Sequence, residues 1–336
     1  MSVDTSGGMS PSVSGPIACV LVVVNKDDTE ELLCAAADLA ARHGARLDVL
    51  TCVEPPKDLE AIARAAELSE PSLVELLTEN QRQRVTRQVA CTLPHTAVQI
   101  HLALGKPFIE IIRHVRRFEI DIVVKTVEPL SGLQGLFFAS TDQHLIRKCP
   151  CPIWLRLPET PSKPSTVLAA VDVDEWDASE PETLASLNQQ VIDLSLRLTT
   201  GSDATVHILH AWEAIGEGLI WVHSSSPNPR LAADEYVNEV LTTRHRSLET
   251  LVHPFLGSIG EQGPRLLQSL VRGPAHTVIA QEAKRLSADI IVMGTVARTG
   301  LSGIIIGNTA EDILNSVECS IVAVKPEGFT SPINVD

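Results

Sequence analysis

The sequence predicts an α/β fold: two tandem open parallel sheets of Rossmann-like type, each flanked by helices. Three observations carry this. Apolar residues make up 44% of the 336 residues and aromatics only 3%, so the cores are aliphatic, as in parallel strands covered by helices. Residues 102–158 slide onto 270–326 without a gap, at a constant offset of 168. Within each repeat, short apolar runs alternate with segments of helical periodicity, which implies parallel pairing through right-handed crossovers.

The repeat sets the domain plan. DIVVKTVEPLSGLQGLFFASTDQHLIRKCPCPIWLRLP lies over DIIVMGTVARTGLSGIIIGNTAEDILNSVECSIVAVKP, with coincidences at Asp121/Asp289, Gly132/Gly300, Leu133/Leu301, Gly135/Gly303, Thr141/Thr309, Cys151/Cys319 and Pro158/Pro326. Upstream, Gly105 matches Gly273, ARLDVLTCVE (45–54) parallels ATVHILHAWE (204–213), and VLVVVN (20–25) pairs with VLAAVD (167–172). A chain of this length suits two domains. The expected units are 17–158 and 166–327, joined by the proline-rich stretch 159–165.

The second repeat shows the elements in order. VLAAVD is a strand, PETLASLNQQVIDLSLRLT a helix, ATVHILHAW a strand, and DEYVNEVLTTRHRSLETLVHPFL a long amphipathic helix. RLLQSLVRG is a third strand and TVIAQEAKRLSA a helix that ends before the strand DIIVMGT. A glycine loop follows, then the helix TAEDILNSVE and the last strand CSIVAVKP.

Composition excludes several functions. A net charge of −15 argues against nucleic acid, whose binders carry basic surfaces. No apolar run reaches the ~18–20 residues of a membrane span. The run IACVLVVV has no basic residue ahead of it and NKDDTEE behind it, so it reads as a strand rather than a signal segment, and the expected location is cytoplasmic. Seven cysteines, including the CPC pair Cys149 and Cys151, complete no metal-ligand set and read as buried and reduced.

His207 and His210 fall on opposite faces of a strand and cannot chelate one ion, so no metal is expected. DVDEWDASEPE (172–182) reads as a solvated strand-to-helix turn with Asp172 near a ligand, and Arg244, His245 and Arg246 as an exposed helix face. Residues 214–236 form either a lid over the second cleft or a surface excursion that packs Trp221.

The stretch MGTVARTGLSGIIIGNTAE, 293–311, bears the chemistry. Its first glycine ends a buried strand, the place where open α/β sheets bind ligands. Asn308 and Thr309 stand at or near a helix N-cap, whose free N–H groups favour anions. Glycine admits a close approach, and Arg298 could add charge-assisted hydrogen bonds to phosphate. A plain turn with an ordinary cap accounts for the same residues. No Walker lysine and no recognisable general base accompany the loop.

These motifs, with CSIVAVKP after them and TDQHLIRKCPCPIW in the first repeat, resemble the universal stress protein family, over roughly residues 17–327. The resemblance implies an adenine-nucleotide alpha-hydrolase-like fold, with the halves packed as a pseudo-dimer whose last strands meet antiparallel. It implies an adenine-nucleotide site such as one for ATP, in the second half alone. Carried over, its residues are Asp172 and the backbone of Ala211 at the adenine, with Gly294, Ala297, Gly307, Asn308 and Thr309 on the phosphate-binding motif; Met293, Thr295 and Arg298 of the same stretch complete the expected cofactor-binding set. The family pattern has glycine where Ala297 stands and Ser or Thr where Asn308 stands. In the first half Thr126, Pro129 and Ala139 replace the three glycines and Asn25 the aspartate, so no family-type site is expected there.

The expected function is a non-catalytic ligand-binding stress-response module read by a protein partner, with room for a further homodimer. A slow ATP hydrolase and an interaction module with empty sites are the alternatives.

Overall fold

A computed structural model describes residues 16–25, 30–128, 140–174, 178–257, 259, 263–295 and 307–335. In the first half the elements run β1 (Cys19–Val23), α1 (Glu30–His43), β2 (Arg46–Val53), α2 (Leu59–Ala65), α3 (Glu70–Thr92), β3 (Val98–Leu104), α4 (Pro107–Phe118), β4 (Ile122–Thr126), α5 (Ser140–Lys148) and β5 (Ile153–Arg156). The second half runs β6 (Thr166–Ala170), α6 (Pro181–Leu198), β7 (Thr205–Trp212), α7 (Glu217–His223), α8 (Pro229–Leu256), β8 (Arg265–Arg272), α9 (Ala275–Leu286), β9 (Ile290–Gly294), α10 (Asn308–Ser316) and β10 (Ser320–Val324).

The two sheets fuse into one, in the order β3-β2-β1-β4-β5-β10-β9-β6-β7-β8. Every pairing is parallel except β5 with β10, where Leu155, Trp154 and Ile153 face Ile321, Val322 and Ala323. The last strands of the two halves therefore meet antiparallel, as the resemblance implied. The central strands β1, β4, β5, β6, β9 and β10 are buried along most of their length, which is why they read as unbroken aliphatic runs. One apolar layer lies on each face of the sheet. The first joins α1 and α6 to strands of both halves, and the second joins α4, α5, α9 and α10 to the same strands.

The repeat extends to backbone torsions. Gly105 and Gly273, one residue past β3 and β8, have φ of 143° and 142°, a region that glycine enters without cost. Glu119 and Ser287, which cap α4 and α9, share the left-handed region at φ 51° and 49°.

Contacts across the halves tie down the connection between them. Thr160 is buried and its hydroxyl lies 2.6 Å from Ser320 Oγ, which also accepts from Leu157 N at 2.9 Å. Arg42 donates to the carbonyl of Leu198 at 2.7 Å, and His43 Nε2 lies 2.9 Å from the carbonyl of Arg197. After β10 the chain returns to the first half, where Arg113 and Arg116 donate to the carbonyls of Asn334 and Ile333.

Candidate functional site

At the carboxyl ends of β6, β7 and β9 the second half opens a cavity of about 560 Å³. Its floor includes Asp172, Ala211, Met293 and Gly294, and the first turn of α10 closes one side through Gly307 and Ala310. Gly307 is the residue that caps α10, in an extended conformation and with no side chain to satisfy the helix N–H groups. That leaves backbone donors and the positive end of the helix dipole at the cavity edge.

Asp172 is held by its main chain. Its N–H donates to Asn188 Oδ1 at 2.9 Å, and Asn188 Nδ2 donates to its carbonyl at 2.6 Å. The Asp172 carboxylate accepts from Asp174 N at 3.1 Å. Asp174 is buried and pairs with Arg244 Nη2 at 3.0 Å, and its other oxygen lies 3.9 Å from His210 Nε2. Burial holds His210 below its ordinary pKa, against the opposite pull of Asp172 and Asp174. Asp172, Asp174 and His210 bring ligand atoms within 4.8 Å of one another. Arg244 already supplies positive charge there.

The corresponding place in the first half is filled. Lys125, which aligns with Met293, sits 1% exposed with Nζ 2.9 Å from Asp142 Oδ1 and 2.9 Å from Glu128 Oε1. Asp142 aligns with Ala310; its second oxygen accepts from Glu128 N at 2.9 Å. Asn25, which stands for Asp172, donates to Glu128 at 3.0 Å. Burial alone would lower the Lys125 pKa, but Asp142 and Glu128 more than reverse it and hold the ammonium charged.

Both halves, residues 19–155 and 165–325, match the Universal stress protein family. The chain belongs to that family. Universal stress protein E of Salmonella typhi is 29% identical over 268 residues, 76% of this chain and 80% of its own length. Its counterpart in Photorhabdus laumondii is 26% identical over 94% of this chain and 96% of its own. Among solved structures, a functionally unknown protein from Pseudomonas aeruginosa PAO1 superposes with a TM-score of 0.62 at 23% identity, covering 93% of this chain and 94% of that one. This universal stress protein is thus of the tandem kind, like universal stress protein E.

The structure gathers some of the expected site residues and not others. Asp172, Ala211, Met293, Gly294 and Gly307 line the cavity. Thr295 does not: it is buried, and both its N–H and its hydroxyl donate to the carbonyl of Val324, because the strand carries it into the sheet. Asn308 and Thr309 open α10 rather than cap it, since Gly307 takes that role. Ala297 and Arg298, with Gly300 and Gly303, lie outside the described residues, as do Pro129, Gly132, Gly135 and Ala139.

Four further expectations are corrected. The acidic turn is not solvated at Asp174, because Arg244 and His210 bury it. Arg244 leaves the exposed face that His245 and Arg246 keep, drawn inward by that carboxylate. Trp221 is not buried: it is 52% exposed on α7, while Ile215 before it reaches the cavity. Cys34 and Cys91 are also exposed rather than buried, although all seven cysteines are unbridged.

Sequence reasoning missed His210, Asp174 and Arg244. The pairwise test of His207 against His210 held, but it hid the carboxylates that a neighbouring strand brings to His210. The available signal was spacing: Arg244 falls four residues from Val240 and from Leu248, on the apolar stripe of its helix.

Proposed function

We propose that this universal stress protein is a cytoplasmic, non-catalytic ligand-binding protein of the stress response, with one adenine-nucleotide site in its second half. The observation that carries this is the asymmetry of the two clefts. A cavity of about 560 Å³ with a helix start that no side chain caps lies behind Met293 and Gly294, and a buried charged cluster occupies the matching place. Asp172 suits the adenine edge, and the α10 N–H groups suit phosphate. On this reading the units are 17–158 and 166–327, linked by 159–165, and occupancy alters a surface read by a protein partner or a second copy of the chain.

Calorimetry with ATP, ADP and AMP tests this on the wild type and on Asp172→Asn, which imports the first-half residue. Binding in the wild type, weakened about tenfold or more in the variant, is expected. No heat and no thermal shift with any nucleotide up to millimolar concentration would leave an empty interaction module. Mass spectrometry of ligand carried through native purification checks the same site without presupposing ATP.

One observation favours slow hydrolysis as the second reading. His210, Glu213 and His276 line the cavity, so bases are present that the loop motif alone did not reveal. Phosphate release above that of the His210→Gln variant would establish it.

A further inference from the structure

A separate cluster lies in the first half, beneath α4 and toward the amino ends of β1, β2 and β3. Asp48 on β2 is fully buried. His114 Nε2 from α4 stands 3.8 Å from Asp48 Oδ2, and His101 Nε2 from β3 stands 3.9 Å from the same oxygen. The three ligand atoms lie within 4.8 Å of one another. Neither Nε2 finds a hydrogen-bond partner among the described residues, although both are sheltered from water. The side chain of His114 is 7% exposed and that of His101 25%, which leaves a path from solvent.

Two buried imidazole nitrogens aimed at one carboxylate oxygen, each about 1 Å too far to bond to it, are costly to leave as they are. An ion between them would satisfy both imidazole nitrogens and share Oδ2 with Arg46, since ligand bonds of about 2.0–2.2 Å to zinc require only a small contraction. The surroundings fix the donors. Phe118 packs on His101 at 5.1 Å and on His114 at 4.3 Å between ring centres, and the two imidazoles meet edge-on at 4.5 Å. Arg46 holds the Asp48 carboxylate from the solvent side, with Nε 3.0 Å from Oδ1 and Nη2 3.1 Å from Oδ2. Cys19 Sγ lies 3.9 Å from Oδ2, outside the common sphere of the other three.

We propose that Asp48, His101 and His114 bind a divalent transition-metal ion of zinc type, with a fourth position open to water or an exchangeable ligand. The nitrogen-rich donor set selects zinc, cobalt or iron over magnesium and calcium, which prefer oxygen. The site owes nothing to the nucleotide cleft: it is built on β2, β3 and α4 of the first half, whereas the cleft lies on β6, β7 and β9 of the second. Its repeat-related positions in the second half hold His207, Ser269 and Glu282, so the constellation belongs to the first half alone.

The test uses the full chain, stripped with chelator and titrated with Zn²⁺ and with Co²⁺ as a spectroscopic probe. The wild type should take up one equivalent of Zn²⁺ and give visible Co²⁺ bands of a low-coordinate site. His114→Gln should weaken uptake at least about 100-fold, and Cys149→Ser with Cys151→Ser should leave it unchanged. Wild type that binds no zinc at micromolar free ion, or binding equal in His114→Gln, overturns the assignment, and so does loss of the metal with the cysteines. Should His114→Gln fail to fold, imidazole NMR of the wild type decides. Zinc must shift the ring signals of His101 and His114, and a shift confined to other histidines refutes the site.

Discussion

Each half of the molecule buries a lysine at a place where the other half carries an apolar residue, and the two lysines are treated in opposite ways. Lys125 stands where the second half has Met293 and is clasped by Asp142 and Glu128. Lys325 stands where the first half has Leu157; it is 5% exposed, lies 5.0 Å from the Phe329 ring centre, and its Nζ has no hydrogen-bond partner among the described residues. The first lysine is raised in pKa and the second is pushed down to about 8 by burial. A buried charge is clasped by two carboxylates in one half, and in the other it persists unpaired as a cost to stability. Two descendants of one unit have thus diverged through a few charges placed on an unchanged sheet.

The comparison breaks most sharply at the Lys125 cluster. Lys125→Met leaves Asp142 buried without its cation and should cost about 3–5 kcal/mol in denaturant unfolding. The double variant Lys125→Met, Asp142→Ala carries the second half's residues and should recover most of that loss. Because the folded Lys125 pKa is raised, its contribution is full below the ordinary lysine value and fades as pH rises through the raised one.

Lys325→Leu imports the first half's residue and should stabilise the protein. A fall from 10.5 to about 8 corresponds to roughly 3 kcal/mol. The sign follows from the depressed value: between pH about 8 and 10.5 the unfolded chain binds the extra proton, so wild-type stability rises with pH across that window. The variant should lack that rise, and its advantage should vanish at the upper limit; melting temperatures across the range check this.

Gly294→Val asks whether the cleft glycine serves ligand or packing. A Cβ there would lie 2.5 Å from Leu187 Cδ2 and 3.0 Å from its Cγ, so a loss of about 1–3 kcal/mol is expected. Adding Leu187→Ala should relieve the crowding without restoring nucleotide binding. The smallest effect belongs to Arg147 and Glu311, which join α5 to α10 across the halves at 2.7 Å. Both are partly exposed, and Arg147→Ala should cost no more than about 1 kcal/mol.

The fold was legible because the repeat and the aliphatic runs report strands independently of any site. The antiparallel seam followed from the resemblance, not from periodicity. The ends of the cleft were legible as Gly294 and Gly307, whereas the charges inside it were not. Asp174, His210 and Arg244 come from three separate elements, and no local pattern relates them. The Lys125 cluster did leave a trace. Lys125 interrupts DIVVKT where the repeat has methionine, and Asp142 replaces Ala310; opposite charges entering two matched apolar positions point to a buried pair. The cluster of Asp48, His101 and His114 left none: the register sets His101 opposite Leu50, two residues along from Asp48 and on its face of the sheet, and no local pattern reports a register.

The β5–β10 seam has a consequence for how such a protein diverges. Trp154 faces Val322 at its centre, a large residue against a small one. A self-paired first half in the same register would set tryptophan against tryptophan, and a self-paired second half would set valine against valine and leave a gap. In a symmetric dimer every substitution at the axis occurs twice, so a bulky change must fit itself. Covalent fusion frees each strand to change alone, and the tryptophan–valine centre is a pairing that a symmetric dimer in this register could not make.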